Sequence, residues 1–240
     1  VMKFYGWPLS EAACFGLGSG LAYYFRPPSA EMALGIFMGR CRNLEENFFA
    51  NCEIPFKKIS FATYAEFRAY VKDKIASGEP VLLQGDIAGL PYYKSPIHFP
   101  GHKFVICGMH GDSYIVADTA FPEFQLITDS ELDKTTAFEA PAWAGARVVF
   151  EVGKLPELTE TSAKGMILKA IEGQIRELTK STDAYFLSWE NAHESWKEHT
   201  ALAAAPPEIP LLMGARAFYQ VIEKRGTGGG AFRGIYLDFA

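Results

Sequence analysis

Near the middle of the chain the sequence reads Pro100-Gly101-His102-Lys103-Phe104-Val105-Ile106-Cys107-Gly108-Met109-His110-Gly111-Asp112-Ser113-Tyr114-Ile115-Val116-Ala117-Asp118. Two apolar runs, residues 103–108 and 113–118, flank a His-Gly-Asp turn, and both contain β-branched residues. Glycine in a short connection between two such runs is typical of a β-hairpin, because glycine readily adopts the conformations that tight turns need. The stretch therefore predicts two antiparallel strands joined by a tight turn.

This hairpin brings one histidine and one aspartate together. His102 begins the first arm and Asp118 ends the second, so antiparallel pairing about the turn makes them neighbours. A carboxylate bonded to one imidazole nitrogen orients the ring and leaves the other nitrogen able to take a proton from a nucleophile. We predict that His102 and Asp118 are catalytic; the alternative is a strand-edge histidine and a turn-forming aspartate.

Strands and helices alternate on both sides of the hairpin. Apolar and β-branched runs predict strands over residues 21–25, 55–59, 81–83 and 145–152, and helical spacing predicts helices over residues 43–51 and 63–76. Beyond Leu155-Pro156, helical periodicity marks residues 166–178, 184–202 and 211–224. We predict an α+β fold in two parts: residues 1–154 with a central antiparallel sheet, and residues 155–240 as a helical domain.

The composition excludes several classes of protein and partner. The 23 Lys and Arg against 28 Asp and Glu give a net charge of −5, which provides no general attraction to nucleic acid or to an anionic membrane. No apolar run approaches the ~20 residues of a membrane-spanning helix. Four scattered cysteines without a CxxC pair indicate neither a disulfide framework nor a zinc ribbon, so we expect a cytoplasmic protein.

The histidine-aspartate hairpin resembles that of the papain-fold C39-like peptidases. It is more similar still to the butirosin biosynthesis protein H family, whose N-terminal domain has this C39-like fold. Three further blocks carry the resemblance in the same order along nearly the whole chain: Leu9-Ser10-Glu11 with Phe15-Gly16-Leu17-Gly18-Ser19-Gly20-Leu21, Pro80-Val81 with Asp86 and Leu90-Pro91-Tyr92, and Arg225-Gly226-Thr227-Gly228-Gly229-Gly230-Ala231-Phe232-Arg233.

The resemblance implies thiol-dependent transfer of an acyl or aminoacyl group from a carrier-protein phosphopantetheine thioester to an amine. His102 would act as base and then as acid, and Asp118 would orient it. The implied partners are an acyl carrier protein and a small-molecule amine, with no resident cofactor. Two other readings stay open: amide or peptide hydrolysis by the same residues, and a catalytically inactive papain-fold domain that binds a peptide or a carrier protein.

The nucleophile implied by the resemblance is a cysteine in a His-Cys pair before Ser10, and the sequence contains no such pair there. We expect the chain to begin after that cysteine, since residues 1–5 look like the tail of a helix; the alternative is a protein that lacks it. A third possibility is that Cys14 is itself the nucleophile, although a buried cysteine more often acts as a small apolar residue. We expect Cys107 in the core, and residues 236–240 in a helix that continues past the last residue.

Four residues are predicted to contact the substrate. Asp86, Tyr92 and Tyr93 lie in the loop before His102, the alternative being turn and packing roles. Arg233 follows a glycine-rich segment that could approach a pantetheine phosphate or a carrier protein, the alternative being a helix-breaking turn. We predict no metal site, because the two histidines of His193-Glu194-Ser195-Trp196-Lys197-Glu198-His199 fall on different faces of a helix.

Overall fold

The computed structural model describes residues 1–26, 36–139, 144–198, 206, 208–224 and 230–240. Its strands are β1 (Leu21–Arg26), β2 (Ile36–Arg40), β3 (Phe56–Ser60), β4 (Val81–Gly85), β5 (His102–His110), β6 (Ser113–Ala117), β7 (Gln125–Ile127) and β8 (Val148–Val152). Its α-helices are α1 (Glu11–Leu17), α2 (Leu44–Asn51), α3 (Tyr64–Ala76), α4 (Asp129–Ala137), α5 (Glu160–Glu198), α6 (Glu208–Tyr219) and α7 (Arg233–Leu237).

The chain divides into two compact units. One, which we term the sheet unit, comprises residues 1–8 and 55–155; the other, the helical unit, comprises residues 9–54 and 156–240. The division predicted from the sequence, residues 1–154 and 155–240, agrees with this grouping to within one residue at its boundary and differs from it at residues 9–54. It places residues 9–54 with the sheet, whereas their contacts group them with the C-terminal helices.

The sheet unit is built on six antiparallel strands in the order β3-β8-β4-β5-β6-β7. The predicted hairpin is present, since β5 and β6 pair antiparallel with His110 opposite Ser113 beside the turn. On its other side β5 pairs with β4, where Leu83 lies opposite Phe104. The structure thus confirms a mixed α and β fold with an antiparallel sheet.

One face of this sheet carries the core of the unit. Leu83, Phe104 and Ile106 are almost fully buried and share a cluster with Phe67 of α3. Alternation along the strands puts every second side chain on this face, and burying each large one stabilises the fold by about 2 kcal/mol. Because His102 comes two residues before Phe104, its ring lies on the same face, at the end of the core.

Local signals explain where the helices of the sheet unit begin. Thr63 caps α3 and Thr128 caps α4, each in a capping box completed by a glutamate three residues later. Helix α3 is predicted from its periodicity, whereas α4 and the strands β2 and β7 are missed. The Thr128 capping box is a sequence signal that identifies α4.

Helix α5 runs unbroken over Glu160–Glu198, where two helices are predicted. Residues 179–183 are Thr, Lys, Ser, Thr and Asp, which lower helix propensity but, without Gly or Pro, do not interrupt the backbone hydrogen bonds. Helix α6 begins at Glu208, three residues before the predicted start, and a π-helical turn over Gln220–Lys224 follows it. Among the residues described, no helix is long and apolar enough to cross a membrane.

In the helical unit, α5 packs beside β1 through paired polar contacts. The side chain of Gln174 accepts from the N–H of Leu21 at 2.9 Å and donates to the carbonyl of Leu21 at 2.6 Å. Ser19 donates to a backbone carbonyl of α5 at 2.8 Å. In α1, an added Cβ at Gly16 would lie 2.0 Å from Cγ of Phe239, so only glycine allows this close approach.

Three expectations about individual residues are wrong. Cys107 is exposed because it is the extra residue of a bulge, where the β5 to β6 register shifts between Ile106 and Gly108. Residues 2–6 form turns and not the end of a helix. Helix α7 ends at Leu237, where a continuing helix is predicted.

Candidate active site

His102 and Asp118 are in direct contact at the end of the hairpin. Nε2 of His102 lies 2.7 Å from Oδ2 of Asp118, and the two side chains are 16% and 0% exposed. An ionised carboxylate can only accept, so Nε2 carries the proton that it shares with Asp118. The neutral ring then has its lone pair on Nδ1, which is the nitrogen able to act as a base.

The strands of the hairpin position these two side chains. His102 is the first residue of β5, and Asp118 directly follows the last residue of β6. The two residues are therefore brought to the same end of the hairpin, as their spacing predicts. The side chains meet although the bulge at Cys107 shifts the register between the strands.

Asp118 accepts four hydrogen bonds. Its Oδ2 receives Nε2–H of His102 and, at 3.1 Å, the hydroxyl of Tyr92. Its Oδ1 receives the hydroxyl of Tyr93 at 3.2 Å and the N–H of Ala120 at 3.1 Å. Both tyrosines lie in the short 3₁₀ turn Pro91–Tyr93. Tyr92 and Tyr93, which the sequence predicts to contact the substrate, therefore donate their hydroxyls to the Asp118 carboxylate.

The electrostatics of the site favour a charged Asp118. Burial raises the pKa of the Asp118 carboxyl, because it disfavours the charged form. The hydrogen bond and charge of His102, with the bonds from Ala120 and Tyr92, outweigh burial and hold that pKa below its ordinary value. Burial, followed by the charge of Asp118, raises the pKa of Tyr92 and Tyr93, so both phenols remain donors.

Aromatic rings surround the pair. The ring of Phe121 meets those of Tyr92 and Tyr93 edge-on, with centroids 5.1 and 5.2 Å apart. The imidazole of His102 is edge-on to Tyr93 at 5.3 Å and lies parallel to Phe104 at 6.3 Å. Such contacts are favourable beyond the area they bury, and they hold the tyrosines in place. Sequence reasoning missed Phe121, because nothing in its local pattern marks it.

A second histidine-aspartate contact lies just upstream of His102. Nδ1 of His98 is 2.6 Å from Oδ2 of Asp86, whose Oδ1 accepts from the N–H of Phe99 at 2.6 Å. Asp86 is buried, while the imidazole of His98 is exposed and stacks on Phe138. Asp86, which the sequence predicts to contact the substrate, thus joins the end of β4 to the loop before His102. His98 was missed because that loop has no periodic pattern.

None of the four cysteines, all of which the structure describes, has the properties of an activated thiol. Burial raises the pKa of Cys14 to about 11, and those of Cys41 and Cys52 to about 12. Cys107 is exposed, yet partial burial of its sulfur raises its pKa as well. A nucleophilic thiol needs a lowered pKa, so the structure gives no support to Cys14 as the nucleophile.

Arg233 lies in the helical unit, at the first residue of α7. Its guanidinium carbon is 4.8 Å from the centre of the Tyr23 ring, and the group donates to the carbonyl of Gly230 at 2.9 Å. The glycine-rich segment over residues 225–229 and the side chains of His193 and His199 lie outside the described residues. In the part of the chain that is described, no cluster of His, Cys, Asp or Glu has the three members that a metal site needs.

Comparison with known proteins identifies a family for the N-terminal part of the chain. Residues 1–119 match the family described as butirosin biosynthesis protein H, N-terminal. Curated proteins gave no match, and neither did solved structures. The matched residues include His102, Asp118, Asp86 and both tyrosines of the site. Over residues 1–119 the chain belongs to the butirosin biosynthesis protein H N-terminal family.

Proposed function

We propose that the protein is a thiol-dependent acyltransferase of small-molecule biosynthesis. It would pass an acyl or aminoacyl group from a carrier-protein thioester to an amine. The contact of 2.7 Å between His102 and Asp118 carries the proposal, because an imidazole held by a buried carboxylate suits proton transfer to and from sulfur. The family match supports the biosynthetic setting, since its description names butirosin biosynthesis.

In the proposed reaction His102 moves one proton in each half. Nδ1 takes the thiol proton of the enzyme, and the thiolate attacks the thioester carbonyl; the bond to the carrier sulfur breaks, and the carrier thiol leaves with that proton. The amine then attacks the acyl-enzyme and gives its proton to Nδ1. The enzyme sulfur leaves as the amide forms, and the proton returns to it. Asp118 stabilises the imidazolium present between these transfers.

The proposed architecture is papain-like, of the C39-like kind. Support comes from an antiparallel sheet that carries a histidine at the start of one strand and an aspartate directly after the next. The attacking thiol is the component that the family resemblance places in a His-Cys pair ahead of Ser10. A reducing, cytoplasmic setting suits an enzyme whose four cysteines are unpaired.

A binding domain without catalysis is the second candidate. The observation that favours it is the raised pKa of all four thiols in the sequence, which leaves none of them activated. Such a domain would hold a carrier protein or peptide and form no covalent bond to it.

Mass spectrometry of the intact protein separates these functions. The natural full-length protein is incubated with acyl-carrier-protein thioesters, first alone and then with small-molecule amines. The transferase should gain the mass of one acyl group and release it as an amide. His102→Ala should slow acylation at least about a hundredfold, and His110→Ala, an exposed histidine of the same strand, should not. Free acid as the only product would indicate a hydrolase, and an unmodified protein that still binds the carrier would indicate the binding domain.

The role of Asp118 is tested by replacing it and comparing the loss of activity with the loss of stability. Asp118→Asn should slow turnover about a hundredfold or more, because the amide cannot stabilise the imidazolium. Urea unfolding of the same variant should show that its free energy of unfolding falls by a much smaller fraction than its turnover rate. A variant that loses activity only as far as it unfolds would show that the His102 contact is structural.

A further inference from the structure

Two tyrosine hydroxyls converge on the one carboxylate that orients His102. Tyr92 donates to Oδ2 of Asp118 at 3.1 Å, the oxygen that also faces Nε2 of His102. Tyr93 donates to Oδ1 at 3.2 Å, and its hydroxyl oxygen lies 3.3 Å from Nε2 of His102. Each oxygen of Asp118 therefore has a phenolic donor, and Tyr93 touches both members of the pair.

These donors matter because the Asp118 side chain is fully buried. A buried carboxylate favours its protonated form unless hydrogen bonds to the charged form compensate for the lost water. A protonated Asp118 would no longer accept from Nε2 as an anion, and it would not stabilise an imidazolium. In the part of the chain that the structure describes, the titratable groups bonded to the Asp118 carboxylate are His102, Tyr92 and Tyr93, and the raised pKa of both phenols keeps them as donors.

We infer that Tyr92 and Tyr93 are positioning residues, which keep Asp118 ionised and fix its two oxygens so that His102 presents Nδ1 as the base. The charge of Asp118 and the orientation of the His102 ring are inferred from these contacts and do not depend on the reaction. The effect of the two tyrosines on catalysis rests on the proposed function. This assigns to the two tyrosines a role different from the substrate contacts that their place in the loop predicts.

The packing of the two rings supports a role that does not depend on the substrate. Phe121 lies edge-on to both rings, and its N–H is bonded at 3.1 Å to the backbone carbonyl of Asp118. The rings of Tyr92 and Tyr93 also contact one another, with centroids 5.3 Å apart. The hydroxyls are thus held at the carboxylate by surrounding protein groups, as expected for groups that preorganise a site.

Nuclear magnetic resonance tests the charge state directly. The side-chain carboxyl carbon of Asp118 and the ring nitrogens of His102 are followed through a pH titration of the full chain. Tyr92→Phe and Tyr93→Phe should each raise the titration midpoint of Asp118, and the double variant should raise it further, because the anion loses donors. Tyr70→Phe is the matched control, since its hydroxyl bonds to Glu151 and the change should leave Asp118 unaltered. An unchanged midpoint in the double variant would overturn the inference.

Kinetics of carrier-thioester turnover distinguish positioning from substrate binding. Each Phe variant should lower kcat about tenfold, the effect of losing roughly one hydrogen bond to a charged group, with KM for the thioester unchanged. In an Asp118→Asn background the same changes should have little further effect, because the group they position is already neutral. A raised KM with normal kcat would overturn the inference in favour of a substrate contact. If the wild-type protein turns over no thioester, the proposed function fails while the titration still decides the role of the tyrosines.

Discussion

Nδ1 of His98 lies 2.6 Å from the buried carboxylate of Asp86, so the loop that leads into His102 is tied to the end of β4. Helix α4 reinforces this junction, because the N–H of Asp86 donates to the carbonyl of Thr135 at 2.7 Å and Thr135 Oγ1 donates back at 2.6 Å. The position of the candidate catalytic histidine therefore depends on a carboxylate outside the His102 and Asp118 pair.

Removing this carboxylate should destabilise the protein. Asp86→Ala removes the acceptor of the 2.6 Å hydrogen bond from the N–H of Phe99, and a hydrogen bond to a charged group contributes about 1.5–3 kcal/mol. His98→Ala is the matched control, since an exposed partner contributes less than about 1 kcal/mol. Urea unfolding of both variants measures the difference. If Asp86→Ala keeps full stability and only raises KM, Asp86 contacts substrate as the sequence predicts.

Acid should reduce stability in part through Asp118. Burial alone would raise the pKa of Asp118, but the hydrogen bond and charge of His102 lower it by more. The folded pKa therefore lies below the unfolded value of about 3.9. Between these two values the unfolded chain binds more protons, and stability rises with pH. The contribution of Asp118 is therefore complete above the unfolded value and is lost as pH falls through the folded one.

Urea unfolding from about pH 6 to about pH 2.5 checks this dependence. Other carboxyls contribute too, since Arg68 lowers the pKa of Asp129 and Lys74 that of Glu151, each against burial. The comparison is therefore with Asp118→Asn, whose loss of stability on acidification should be smaller than that of the wild type. Equal losses would mean that Asp118 is not bound as a stabilised anion.

Alkylation should distinguish the four thiols by exposure. Cys107 is the exposed one and should react with iodoacetamide first. Cys14 should react slowly at neutral pH, because burial raises its pKa to about 11. Cys41 and Cys52 are 3% and 0% exposed and should react only after unfolding. Peptide mass spectrometry reads the order, and preferential modification of Cys14 would restore it as a candidate nucleophile.

Gly16 should tolerate no larger side chain. In Gly16→Ala the added carbon would overlap the ring of Phe239, and overpacking of this kind costs about 1–3 kcal/mol. Gly165→Ala in α5 has open space around it, and replacing glycine within a helix should stabilise by about 0.5–1 kcal/mol. The midpoint of thermal unfolding should therefore fall in Gly16→Ala and rise in Gly165→Ala. A neutral Gly16→Ala would show that Phe239 does not pack against α1.

Features that depend on neighbouring residues could be predicted from the sequence. The hairpin follows from two apolar runs and a glycine turn, and helix α3 from its periodicity and its start at Thr63. The contact between His102 and Asp118 belongs to this class as well. It joins residues separated by 16 positions, and one local element is enough to bring them together.

Contacts between distant segments could not be predicted in this way. The hydroxyls of Tyr92 and Tyr93 reach Asp118 from a separate loop, and His98 reaches Asp86 across the end of β4. No spacing rule connects such positions, because their meeting depends on how the loop packs against the sheet.

The amino-acid order alone determined most of the strands, most of the helices and the one histidine-aspartate pair within a hairpin, since caps, turns and periodicity act over a few residues. Tertiary structure decided which donors surround Asp118 and that residues 9–54 group with the C-terminal helices, as in the contact of Ser19 with α5 across 151 positions. Such contacts form only when whole elements pack, and packing depends on side-chain shape and burial that no local pattern encodes.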